Sequence, residues 1–130
     1  MKFILSTMLF VFALCFNADA QRAIAMTGTD TIANTATVNL TITVPAPHTT
    51  ATFQVVNTKL SGTAAGNSLF QASNDGTNYI TLDTLVNTNV TTNTKIFEDS
   101  PAKYRHYRIS TTGSGTMSVI TRAWAVLKKT

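Results

Sequence analysis

Apolar and polar residues alternate most regularly between Val38 and Val44, where Val38, Leu40, Ile42 and Val44 interleave with Asn39, Thr41 and Thr43. A period of two puts successive side chains on opposite faces, so this stretch predicts a strand with one buried and one wet face. Pro45 and Pro47 end it, because neither can donate a ladder hydrogen bond. The next strand sends Phe53 and Val55 one way and Thr52, Gln54 and Val56 the other. Leu69 to Leu82 reads as two β runs joined by Asn74, Asp75, Gly76, Thr77 and Asn78, a hairpin signal because Gly accepts the positive φ that the turn demands.

Arg22 to Thr27 reads as an edge-like strand and Gly28-Thr29-Asp30 as a turn. Ser61 to Asn67 reads as a polar connection, and Val86 to Thr94 as a weak strand or an exposed loop. A short strand over Thr94 to Glu98 turns at Asp99-Ser100-Pro101 into a strand from Tyr104 to Thr111. There Tyr107, Ile109 and Thr111 share one face and Tyr104, His106, Arg108 and Ser110 the other. Thr112-Gly113-Ser114-Gly115 leads into a last strand, Thr116 to about Lys128. About seven or eight short strands and no helix of ordinary length define an all-β chain, an antiparallel sandwich. Its expected core is Val38, Leu40, Ile42, Phe53, Val55, Phe70, Tyr107 and Ile109.

The last strand carries apolar residues on both faces: Ile120, Arg122, Trp124 and Val126 on one, Met117, Val119, Ala123, Ala125 and Leu127 on the other. In one reading Trp124 is the largest core residue and Ala123 and Ala125 face water. In the other, the face of Ile120, Arg122, Trp124 and Val126 is an interface that packs against another copy, making the protein a homo-oligomer.

Composition adds a compartment. Met1-Lys2, an apolar run from Phe3 to Phe16 and Ala18-Asp19-Ala20 have the form of a cleavable secretory signal, too short for the roughly 20 residues of a bilayer span. Residues 1–20 are therefore expected to be a signal peptide and 21–130 a single domain, secreted and free of the membrane once cleaved. The only cysteine, Cys15, leaves with the signal, so the core must hold without a disulfide. A net charge of +4 with only 12% charged residues gives no nucleic-acid footprint; Lys103, Arg105 and Arg108 are the densest basic group.

The chemistry-bearing residues are sparse. Glu98 and Asp99 are adjacent carboxylates that a strand would turn to opposite sides, so they cannot act as an acid/base pair. Neither His48 nor His106 has a second ligand at metal spacing, and no Ser sits in a nucleophile elbow, so no catalytic, cofactor or metal residues are assigned. Asn74, Asp75 and Asn78 offer too few oxygens for Ca²⁺ and read as a plain turn. Asp30-Thr31-Ile32 and Asp83-Thr84-Leu85 have the form of short O-glycosylation acceptors. Tyr79, Tyr104 and His106 are the candidate ligand-binding surface, set against Tyr79 as a plug of the sandwich.

Phe70 to Tyr79 (F-Q-A-S-N-D-G-T-N-Y), Thr94 to Ile109 (T-K-I-F-E-D-S-P-A-K-Y-R-H-Y-R-I) and Thr112 to Val119 (T-G-S-G-T-M-S-V) resemble small discoidin-like, jelly-roll β-sandwich domains of bacteriophage virion proteins and carbohydrate-binding modules. The resemblance implies a non-enzymatic structural or binding role, as a subunit or decoration component of a phage particle or other extracellular assembly. The alternative it implies is a secreted carbohydrate-binding or adhesion module whose partners are surface glycans. Tyr79 stands where the family pattern has Trp, and His106 where it has an aromatic residue.

Overall fold

Nine strands, in a computed structural model, pair antiparallel into two sheets: β1 (Ala23–Ala25), β2 (Thr31–Ala33), β3 (Thr37–Thr43), β4 (Thr50–Gly62), β5 (Gly66–Ser73), β6 (Ile80–Val86), β7 (Thr92–Asp99), β8 (His106–Gly113) and β9 (Met117–Lys128). The structure describes residues 23–28, 30–45 and 48–128; the segment expected to be a signal peptide and parts of the 28–30 and 45–47 turns lie outside the described residues. Sheet one runs β1-β9-β4-β7, with β2 also on β9, and sheet two runs β3-β8-β5-β6. With β1 and β2 taken as one interrupted edge strand, this order is that of an eight-stranded jelly roll. Among the described residues no helix is long and apolar enough to cross a membrane.

The alternation of β3 does what its pattern requires, with Val38 and Leu40 buried and Ile42 packed at the margin of the core. Inward residues of both sheets meet in an aromatic cluster. Phe53 lies 4.8 Å from Phe70 and 4.7 Å from Tyr107, and Phe70 stacks on Phe97 at 5.0 Å between ring centres. The Tyr107 hydroxyl crosses from β8 to donate to Asp99 of β7 at 2.6 Å. Burial first, and the carboxylate it bonds second, push that phenol well above its ordinary range.

Beside the aromatic cluster the interior turns polar. Asn57 on β4 donates through Nδ2 to Ser68 of β5 at 2.8 Å and to Asn87 after β6 at 2.7 Å, while its Oδ1 accepts from Thr121 of β9 at 2.6 Å. Thr111 of β8 completes the set by donating to Ser68 at 2.8 Å. All five side chains are buried, so this network fixes how one sheet sits over the other.

Sequence and structure differ at four places. β4 continues through Gly62 across an irregularity between Lys59 and Ser61, and β5 already starts at Gly66. Ser61 to Asn67 is thus mostly strand; Gly66, at φ 97° with the Thr112 carbonyl against it, is a position that only glycine fills easily. β2, three residues around a fully buried Ile32, is too short to show alternation in sequence. β8 begins at His106, leaving Tyr104 in the preceding loop.

The fourth difference concerns β9. Ala123 is 3% exposed and Ala125 0%, whereas Trp124 is half-buried on the outer side. The reading with Trp124 in the core fails because Ala123 and Ala125 oppose Val55 and Phe53, and only small side chains fit between those strands and the facing sheet.

At the open edge between β6 and β7, Lys95 bridges the sheets by donating to Asp83 Oδ1 and to the Thr84 carbonyl, both at 2.8 Å. The Lys95 hydrogen bond and then the Thr84 amide lower the Asp83 pKa from 3.8. A depressed carboxylate stabilises the fold above its unfolded pKa and loses that contribution as pH falls through the folded value. Both side chains are partly exposed, at 34% and 47%, which limits the bridge to a few tenths of a kcal/mol up to about 1. Lys95→Met should therefore flatten the decline of melting temperature below about pH 4, read from thermal melts across an acid series.

Candidate functional site

The outer face of sheet one is a grid of outward side chains set by register. Across one row Ala25 of β1 neighbours Trp124 of β9, Trp124 neighbours Gln54 of β4, and Gln54 neighbours Ile96 of β7. The row beside it reads Ala23, Val126, Thr52 and Glu98. On the other side Arg122 neighbours Val56, and Val56 neighbours Thr94. Trp124, Val126, Val56 and Ile96 with Ala23, Thr52 and Gln54 line an open groove of about 550 Å³. Its floor is apolar, with Ile96 63% exposed, and Thr52 and Gln54 bring hydrogen-bonding groups to it.

Trp124 also borders a smaller recess of about 260 Å³, where β1 has ended and β2 has not begun, with Asp30 and Arg122 beside it. Ile120, Arg122, Trp124 and Val126 thus share one outward face, in a line along β9. Alternation alone located them. Gln54 and Ile96, which complete the groove from β4 and β7, carried no sequence signal, because sheet order is not written in either strand.

Tyr79 and His106 lie on the outward side of sheet two, and Tyr104 packs at the margin of the core. Tyr79 lies outside sheet two with the Arg108 guanidinium 3.9 Å above its ring, so it is not a plug of the sandwich. His106, on the same outward side of β8, meets Thr43 Oγ1 through Nδ1 at 3.1 Å and lies beside Gly76. Tyr104 instead packs edge-on against Tyr107 at 6.3 Å and lines a recess of about 280 Å³ with Ser73, Asp75, Asn78 and Ile80.

The hairpin loop is a self-contained turn. Asp75 Oδ1 accepts from the Ser73 hydroxyl at 2.7 Å and from the Thr77 and Asn78 amides at 2.8 Å each, and Oδ2 accepts from Asn78 Nδ2 at 2.7 Å. The Asn78 side chain, followed by those backbone amides and Ser73, holds the Asp75 carboxyl far below the ordinary range. Both oxygens are spent on the loop, which leaves the plain turn as its role. Glu98 and Asp99 face opposite sides: Glu98 is exposed beside Thr52, and Asp99 holds Tyr107. Among the described residues no three His, Cys, Asp or Glu side chains gather closely enough to hold a metal ion.

No protein-family profile and no curated protein matches the chain. Among solved structures, it is similar to a xylan-binding domain from carbohydrate-binding module family 22, at TM-score 0.47 and 14% identity over 88% of this chain and 92% of that one. A second is the C-terminal family 22 carbohydrate-binding module of Clostridium thermocellum Xyn10B, at 0.47 and 15% over 86% and 90%. A third is a family 16 carbohydrate-binding module, at 0.43 and 12% over 79% and 83%. At such identities nothing of their ligands carries over to this chain.

Proposed function

We propose that the protein is a non-enzymatic, extracellular glycan-binding domain, with the groove on sheet one as its site. Trp124 carries this reading: an indole standing outward mid-sheet offers a flat apolar surface to a sugar ring. Thr52 and Gln54 line it with donors and acceptors for hydroxyl groups, and the groove's open form suits a chain rather than an enclosed monosaccharide.

Trp124 is the only tryptophan, so its emission reports on this groove and the small recess beside it. Titration with soluble plant and bacterial polysaccharides should shift that emission with saturation, and Trp124→Ala should weaken retention in polysaccharide-containing gels by about tenfold or more. The half-exposed indole contributes little to the core, so the variant should keep its far-UV spectrum and melt within a few degrees of the parent. Undiminished binding by Trp124→Ala would end the groove reading.

A second reading is supported by Ile96 and its neighbours Val56 and Val126, an exposed apolar patch of the sort that a second copy covers. It corresponds to a subunit of a phage particle or other extracellular assembly. In that case the Trp124 emission and the mass measured by mass photometry change with protein concentration alone, without glycan.

A further inference from the structure

Arg108 on the outer face of sheet two is held at two points. Its guanidinium lies 3.9 Å over the Tyr79 ring, and its Nε donates to Gln71 Oε1 at 2.9 Å, with Gln71 itself anchored by donating to Thr81 at 3.1 Å. The side chain that gives this arginine its flat support is the aromatic residue closing the hairpin loop, and the amide that orients it comes from the neighbouring strand. Among the described residues no carboxylate lies within ion-pair distance of Arg108, and no hydrogen bond uses its two terminal Nη groups. A stacked, oriented guanidinium with both terminal nitrogens uncommitted is prepared for an oxyanion.

We propose that Arg108, stacked on Tyr79, is the centre of a second binding site that takes a carboxylate or sulfate group of an acidic polysaccharide. Gln71 occupies Nε, which rules out the side-on mode and leaves the end-on pair of Nη donors for a bidentate contact. The surroundings select the class of ligand. Thr41, Thr43, Ser110 and Thr112 face outward around Arg108 and His106, a sheet face rich in hydroxyls and poor in charge. A nucleic acid would need a row of cations to follow its phosphates, and among the described residues this face has Arg108 as its single arginine or lysine. An isolated anion on a hydroxyl-bearing chain fits it. This site lies on the opposite sheet from the Trp124 groove and does not depend on that reading.

The test uses the purified protein and three probes: polygalacturonate, its fully methyl-esterified form, and dextran sulfate, with inorganic sulfate as competitor. The parent should bind the carboxylated or the sulfated polymer, at least about tenfold more tightly than the esterified one. Because the protein is basic, the deciding variant is Arg108→Lys. It leaves net charge, and so any diffuse attraction to polyanions, unchanged, yet removes the planar fork; binding should weaken about tenfold. Arg108→Met should do the same. Binding of polygalacturonate alone would identify a uronate, and of dextran sulfate alone a sulfate ester. Equal binding by parent and Arg108→Lys, retention of the esterified polymer to the same degree, or binding of inorganic sulfate with neither polymer retained would overturn the proposal. Should Arg108→Met fail to fold, Arg108→Lys decides by itself.

Discussion

Asn57→Ala should destabilise the protein by about 3 kcal/mol or more, because the truncation leaves Asn87, Ser68 and Thr121 each without a hydrogen bond that Asn57 now makes. A buried polar group without a partner forfeits its hydration and gains nothing in return, at roughly 1–3 kcal/mol each. For a domain of this size that corresponds to a drop of about 10–15 °C in melting temperature. Thermal unfolding followed by circular dichroism gives the number. A loss below about 1 kcal/mol would mean that the three partners re-pair among themselves and that the sheets are not pinned through Asn57. Thr111→Val is the companion measurement, since Thr111 only donates to Ser68; it should cost less than Asn57→Ala.

The second large effect is expected at Ile109. It is fully buried at the middle of β8, between Leu40 of β3 and Phe70 of β5. Ile109→Asp puts a carboxylate there with no cation within the interior, and the cost of several kcal/mol is a large part of the 5–15 kcal/mol that holds a typical domain together. The variant should be largely unfolded or insoluble at 37 °C. Asn39→Asp, outward on β3, should change stability by no more than about 0.5 kcal/mol. If both variants melted alike, the inward and outward faces of sheet two would have been exchanged.

The parts of this fold that are local are legible in the chain. Alternation marked β3, the first half of β4 and β8, and Asp75-Gly76 marked the β5–β6 connection. Seven of the eight expected core residues are buried, and Ile42 lies at the margin. The interior network was invisible for a physical reason. Asn57 falls on the inward side after Phe53 and Val55, where a polar residue reads as the end of a buried stripe; what makes it acceptable are hydroxyls and an amide from four other segments. The faces of β9 were ambiguous for the opposite reason. Alternation there separates alanines from a tryptophan, and size favours the tryptophan for burial, whereas the spacing of the two sheets favours the alanines. Tyr79 and Arg108, 29 positions apart, share no pattern at all and meet only because β5 lies between β6 and β8.

β1 pairs with the far end of β9, Ala23 against Val126, and both residues line the groove. The first described residue, Ala23, and Val126, two positions before the last described residue, therefore stand at the same cleft. A tag, display carrier or chip linkage fused directly at Ala23 or Lys128 should crowd that cleft and compete with a bulky ligand. Attachment from the opposite side, through a cysteine introduced at exposed Asn39 on β3, leaves the Trp124 face turned outward. Apparent affinities measured in the two orientations should differ for long polysaccharides and agree for short oligosaccharides, so the mode of immobilisation doubles as a map of where the ligand chain runs.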